Sequence, residues 1–227
     1  FLGGSRGKGF ENELSDYDPR MVVNDKIADE YKKKYEAMEL EDIDLSVLSL
    51  SDFKTYAEWG SPEAWDRYDF SHVQVLVDKN GEIQKLVNDK GSIPPDKGDE
   101  FIRSSLDAYI NYVFRSVKCI RNDNQIGAHL EASASIPYLL DTFFALENRI
   151  RPFYGYLEKE LDKFPLQKLP IKKRDFLEKI QTVLNSADLS IQQNLLKMVE
   201  NIAREEGFGQ VFDDWEGKDN WAMEFRP

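Results

Sequence analysis

Three aspartates carry the chemistry that this sequence offers most clearly. Asp16 and Asp18 flank a tyrosine in the run Leu14-Ser15-Asp16-Tyr17-Asp18, and Asp44 sits inside Ile43-Asp44-Leu45-Ser46-Val47-Leu48. Alternate residues of a strand share a face, so extended backbone at 16–18 aims both carboxylates the same way. Two carboxylates held that closely repel, and a hard divalent ion such as Mg²⁺ neutralises them. Along 42–48 the residues Asp42, Asp44 and Ser46 point to one side, and Ile43, Leu45 and Val47 to the other. Asp44 can therefore meet the first pair from a neighbouring strand. Because Mg²⁺ keeps coordination sites for phosphate oxygens, such a trio suits phosphoryl transfer.

Upstream lies Gly3-Gly4-Ser5, followed by Arg6 and Lys8. A strand that ends in glycine and serine before a helix start offers backbone N–H groups and a hydroxyl to nucleotide phosphates, with Arg6 and Lys8 adding positive charge. Each feature alone is commonplace, since Gly-Gly-Ser is usually a turn and Asp-x-Asp on a surface strand is usually solvated. The order of the features, with a ten-residue spacer between Ser5 and Asp16, is more specific than any one of them.

Positioning these groups calls for an α+β arrangement. Asp16 to Val23 alternates and ends in Met21-Val22-Val23, which predicts a strand, and Phe1-Leu2 reads as the tail of another whose earlier part is expected to precede Phe1. Asp25 to Met38, rich in Lys, Glu, Ala and Tyr, reads as a helix. Ile43 to Leu48 is a second full strand, and Val73 to Val77 a third. That third strand is expected to turn at Asp78-Lys79-Asn80-Gly81 and return as Glu82 to Val87, because Asn-Gly between alternating apolar runs signals a hairpin. Tyr56 to Trp65, aromatic and acidic, reads as a short helix or a lid.

From Asp99 the character changes. Phe101, Ile102, Leu106, Tyr109, Ile110, Val113, Phe114, Val117 and Ile120 recur at helical spacing. A second helical stretch runs from about Gly127 to Arg151, with Pro137 expected to kink or break it. Pro170 opens a third, and Asp188 caps a fourth that stops at Gly207. The expected organisation is a catalytic domain over 1–98 and a helical domain over 99–227.

The set Gly4-Ser5, spacer, Asp16-Tyr17-Asp18 and Asp44 resembles the nucleotidyltransferase superfamily, whose pattern is Gly-Ser, a spacer, Asp-x-Asp and a later lone acidic residue on another strand. Leu14 to Asp18, Ile43-Asp44-Leu45 and His72 to Gly81 are most similar to the aminoglycoside adenylyltransferases, in particular the streptomycin 6-adenylyltransferase type. The resemblance covers roughly residues 1–90. Pro19 departs from it, since an apolar β-branched residue or Leu is more usual after the aspartate pair. The fold implied is a nucleotidyltransferase-like mixed β-sheet with flanking helices, followed by a C-terminal helical bundle.

The activity implied is Mg²⁺-dependent transfer of a nucleoside monophosphate, AMP from ATP, to a hydroxyl of a small molecule such as an aminoglycoside, hence antibiotic resistance. Two Mg²⁺ ions would be held by Asp16, Asp18 and Asp44, with the triphosphate on the Gly4-Ser5 turn beside Arg6. The acceptor hydroxyl would attack the α-phosphorus in line, pyrophosphate would leave, and Asp44 would lie nearest the attacking oxygen. In some relatives a glutamate from the helical half serves as base. Glu131 is the candidate here, ahead of Asp141 and Glu147, because Ala132, Ser133, Ala134 and Ser135 leave room for a ligand. A protein or RNA acceptor, a non-catalytic nucleotide-binding protein, and a homo-oligomer that completes the site all stay open.

Composition narrows the partners. The chain has 227 residues and a net charge of −12, which argues against a sequence-independent grip on nucleic acid and suits a cationic small molecule. One cysteine, Cys119, allows no intrachain disulfide, and no apolar run approaches the roughly 18 residues of a membrane span. A cytoplasmic protein without membrane contact is expected. His72, His129 and Cys119 do not form a zinc-like set. Trp59 and Trp65 flank Gly60-Ser61-Pro62 and read as loop or core anchors ahead of a platform for a cationic sugar. Asn148 to Pro152 reads as helix C-terminal charge ahead of phosphate contacts.

Overall fold

The alternating stretches at 16–23 and 43–48 lie side by side in the computed structural model, which describes residues 1–36, 38 and 41–227. The chain is mixed α+β and mostly helical, and among the described residues its sheet has two parallel strands, β1 (Arg20–Val23) and β2 (Ser46–Ser49). It forms two compact units. The first comprises Phe1–Pro95 with Pro152–Lys159, the second Asp96–Arg151 with Glu160–Pro227.

In the first unit, α1 (Gly4–Lys8) precedes β1, and α2 (Asp25–Glu36) makes the crossover that a parallel pair requires. The helix expected over 25–38 thus reaches Glu36, and Ala37 lies outside the described residues. Regular pairing begins only at Arg20, although Tyr17 already bridges Ile43 in the same register. Pro19 explains the gap. Its missing N–H is the donor that would reach the carbonyl of Asp44, while its own carbonyl still accepts from Ser46 at 3.1 Å. Phe1–Gly3 runs antiparallel along 18–20, through Gly3 N–H to Asp18 O and Arg20 N–H to Phe1 O, both 2.9 Å.

β2 leads directly into α3 (Leu50–Thr55), capped by the Ser49 hydroxyl, which accepts from the Asp52 N–H at 3.0 Å. A 3₁₀ turn follows at Ala64–Phe70, within the reach of the lid-or-helix expectation only at its first residues. Phe53, Ala57, Phe70, Val73 and Val87 form the core of this unit. Arg67 ties the turns around it, donating to the carbonyls of Ala57, Asp89 and Ser92 at 2.7–2.8 Å.

The expected hairpin over 73–87 is overturned. Residues 82–90 form α4 (Glu82–Lys90), and Gly81, at φ 79°, precedes its first turn. The carboxylate of Asp78 accepts from Gly81 N–H at 3.0 Å and Gln84 N–H at 2.8 Å, which satisfies donors that a helix start leaves open. Ile83, Leu86 and Val87 then meet the core at helical spacing. The sheet is smaller than expected for the same reason.

In the second unit α5 (Gly98–Arg121) packs along α6 (Gln125–Ala145), burying Leu106, Tyr109, Ile110, Val113 and Val117 against Ala132, Leu139 and Leu140. α6 continues through Pro137 without a break and ends earlier than expected, before Asn148 in the left-handed region. After α7 (Leu157–Lys163) come α8 (Lys173–Ser186), whose start lies beyond Pro170, and α9 (Leu189–Glu205), capped by Asp188 accepting from Ile191 N–H at 2.8 Å. α10 (Gln210–Asp213) and α11 (Lys218–Glu224) bring Trp215 and Trp221 edge-on to Phe114. Among the described residues no helix is long and apolar enough to cross a membrane.

Candidate functional site

Strand register sets the geometry of the three aspartates. Tyr17 N–H donates to Asp42 O and Asp44 N–H to Tyr17 O, each at 2.8 Å, so Asp18 lies across from Asp44. Both share a face with Arg20 and Ser46, and these four line a cleft of about 250 Å³ with Leu48 and Tyr56. Asp16, two residues earlier and ahead of β1, is exposed. The Asp18 carboxyl is pushed above its ordinary range by burial, then by the charges of Asp16, Asp69 and Asp44, against the pull of Arg20. The site therefore holds surplus negative charge.

The two glycines have a steric reason that spacing did not reveal. Gly4 has φ +58°, and a Cβ on it would fall 1.9 Å from Asp18 Oδ2; one on Gly3 would fall 2.8 Å from Asp69 Oδ2. Glycine thus lets two carboxylates close onto the backbone. The Gly4 N–H, expected to face phosphate, donates to Asp69 Oδ1 at 3.1 Å.

Arg6 is engaged elsewhere than the phosphate role implies. Its Nε donates to the carbonyls of Ser15 and Asp16 at 3.0 Å, its Nη2 to Ser15 at 2.7 Å, and its guanidinium stacks 4.1 Å over the Tyr17 ring. It clamps the loop that delivers Asp16 and Asp18. Lys8 is buried, donating to Asp69 O at 2.6 Å and Ser71 O at 3.2 Å.

Several residues of the site were not singled out in the sequence. Asp66 and Asp69, both buried, flank the Arg20 guanidinium, whose Nη2 lies 3.2 Å from Asp66 Oδ2 and 2.7 Å from Asp69 Oδ2. The Tyr56 hydroxyl donates to Asp66 at 2.7 Å, and burial followed by this bond pushes its pKa up to about 12. Tyr156, far along the chain, has its hydroxyl pushed above its ordinary range by burial and then by the charges of Asp18, Asp69 and Asp16. Asp66 and Asp69 are three apart in a helical turn, a spacing that puts them on one side and would have marked them in the sequence.

Other candidates stand differently. Glu131 belongs to the second unit, where its carboxylate pairs with Arg115 at 2.5 Å. Glu147 accepts from Lys168 N–H at 2.8 Å, and Asp141 pairs with Arg151 at 2.6 Å. Arg149 bonds Glu160 at 2.5 Å and Phe164 O at 2.8 Å, so both arginines of 148–152 have partners within their unit. Trp65 is exposed, 6.3 Å from the Phe153 ring, and Trp59 lies beside the Arg67 guanidinium, at 5.4 Å. His129 contacts Asn185 O at 3.3 Å.

Among the described residues no three His, Cys, Asp or Glu side chains assemble as a metal-holding group. Mg²⁺, however, is commonly held by one or two carboxylates plus phosphate oxygens and water. Asp18 and Asp44, paired across the ladder amid surplus negative charge, fit that mode of binding. No family model, curated protein or solved structure matches the chain.

Proposed function

We propose that the first unit is a Mg²⁺-dependent nucleotidyltransferase that moves AMP from ATP to a hydroxyl of a small, cationic acceptor of the aminoglycoside kind. The observation that carries this reading is the pairing of Asp18 with Asp44 across a parallel ladder, with Gly4 against the Asp18 carboxylate. The order Gly-Ser, Asp-x-Asp, Asp is thereby accompanied by closeness in space.

Asp18 and Asp44, with Asp16 beside them, would hold Mg²⁺, which when bound supplies positive charge against the triphosphate. Ser5 contributes a hydroxyl to the phosphates, and Arg6 keeps the backbone at 15–16 in place. In the transfer, an acceptor oxygen forms a bond to the α-phosphorus as the bond to pyrophosphate breaks. Asp44, exposed at the cleft, takes the acceptor's proton. A net charge of −12 suits a cationic acceptor.

A second reading, a nucleotide-binding protein without turnover, draws on the lack of a three-ligand group among the described residues. One experiment separates the two. The protein is incubated with Mg²⁺, each nucleotide triphosphate and a panel of aminoglycosides while pyrophosphate release is followed. Release that needs an acceptor and disappears in Asp16→Asn and Asp44→Asn is the expected result. Nucleotide binding with no release from any panel member defeats the aminoglycoside acceptor and favours the second reading or a protein or RNA acceptor, and no binding at all defeats every one of them.

A further inference from the structure

The groups that the sequence offers to nucleotide phosphates are engaged elsewhere. The Gly4 N–H donates to Asp69, Arg6 holds the carbonyls of Ser15 and Asp16, and Lys8 donates to those of Asp69 and Ser71. A polyphosphate beside Asp18 and Asp44 still calls for positive charge from the wall of the cleft, over and above what a metal ion brings. Among the described residues that line that cleft, Arg20 is the one cation.

Arg20 is held as a fixed fork. Its guanidinium carbon lies 5.1 Å from the centre of the Phe70 ring and 5.8 Å from that of Tyr56. The hydrogen bond to Asp66 Oδ2 at 3.2 Å and the 2.7 Å approach to Asp69 Oδ2 are both made by Nη2. Nε and Nη1 make no hydrogen bond among the described residues, and the side chain is 18% exposed. A guanidinium carries donors on all three nitrogens in one plane, so anchoring Nη2 orients those of Nε and Nη1 without using them. Two buried carboxylates and two aromatic rings thus hold the cation in place in advance, and binding has little left to order.

We propose that Arg20 binds a phosphate oxygen of the nucleotide through Nε or Nη1, while Asp66 and Asp69 keep its guanidinium in place. This rests on the nucleotidyltransferase reading and moves the phosphate grip from the Gly4–Lys8 turn to the strand that follows Asp18. It also gives the two buried carboxylates a task beyond stability, since a buried ion pair by itself adds little over well-packed apolar side chains.

The test uses the full chain with Mg²⁺ and two probes, a non-hydrolysable ATP analogue and inorganic tripolyphosphate, titrated calorimetrically into the wild type and Arg20→Lys, each checked by thermal melting. Lysine keeps a charge beside Asp66 and Asp69, but its single nitrogen cannot serve them and a phosphate as a planar fork does. Arg20→Lys is expected to bind both probes about tenfold more weakly, the size of one lost charge-assisted hydrogen bond. A second measurement needs no variant. In the ¹⁵N-labelled wild type the guanidinium signal of Arg20, assigned by through-bond correlation to its own backbone, is followed as each probe is added with Mg²⁺. It is expected to shift and to exchange its hydrogens more slowly, which an arginine with a purely structural role would not do. A signal unmoved at saturation, a signal moved by the analogue but not by tripolyphosphate, or wild-type affinity in a folded Arg20→Lys overturns the inference and leaves the nucleotide reading intact. A wild type that binds neither probe overturns the reading and the inference together.

Discussion

Gly4→Ala puts the geometry of the site to a quantitative test that needs no substrate. Position 4 has φ +58°, a conformation that costs an alanine about 1 kcal/mol relative to glycine. Its new Cβ would also lie 1.9 Å from Oδ2 and 2.7 Å from Cγ of Asp18, so the carboxylate must leave its place. Forcing Asp18 from its rotamer adds about 1 kcal/mol, for a total of about 2 kcal/mol. In an Asp18→Ala background both offending atoms are gone, and the nearest remaining one, Cβ at 3.3 Å, is only a tight contact. Gly4→Ala should then cost only the backbone share, about 1 kcal/mol. Urea unfolding of the four proteins of this double-mutant cycle gives the coupling directly, expected at about 1 kcal/mol. An equal loss in both backgrounds would refute the contact between Gly4 and Asp18.

Two further outcomes follow from buried and capping carboxylates. Asp69→Ala strips Arg20 of its 2.7 Å partner and the Gly4 N–H of its acceptor, and should destabilise the chain by about 3 kcal/mol in urea. Asp69→Asn keeps an acceptor for Gly4 and should lose less; a neutral Asp69→Ala would rule out this role. At Asp78, bonds from the N–H groups of Gln84, Asn80 and Gly81 hold the carboxyl below its ordinary value of 3.8. A depressed carboxylate stabilises the fold above that value and loses its effect as pH falls through the lower one. The wild type should therefore lose stability to acid in that window more steeply than Asp78→Ala, with the two converging below it. Parallel melting curves from pH 2 to pH 7 would count against α4 beginning at Glu82.

The run Asp78 to Gly81 is compatible with two local structures, a hairpin turn and the start of a helix. Asn80-Gly81 tolerates a left-handed backbone, and both a hairpin turn and the approach to a helix use one. The stretch from Glu82 on carries Ile83, Leu86 and Val87, which fit a helical face better than alternation. The bonds from Gly81 and Gln84 to Asp78 decide the matter, and they exist only once the helix forms. By contrast, α5 and α9 could be read in advance because their apolar spacing and, for α9, the Asp188 cap are local.

The aspartate pair shows the same division inside the site. Alternation alone put Asp16 and Asp18 on one face, because side-chain direction in a strand depends only on chain geometry. Residue type likewise marked Gly4, Ser5 and Asp44 as candidates. The tertiary structure decided that Asp44 faces Asp18, that Asp69 rather than a ligand meets the Gly4 N–H, and that Arg6 clamps a loop. Those facts depend on strand register and on contacts across as many as 65 residues, between Gly4 and Asp69. Such pairings have no period in the chain. They arise only when the elements bury their apolar faces together and carry the polar groups with them.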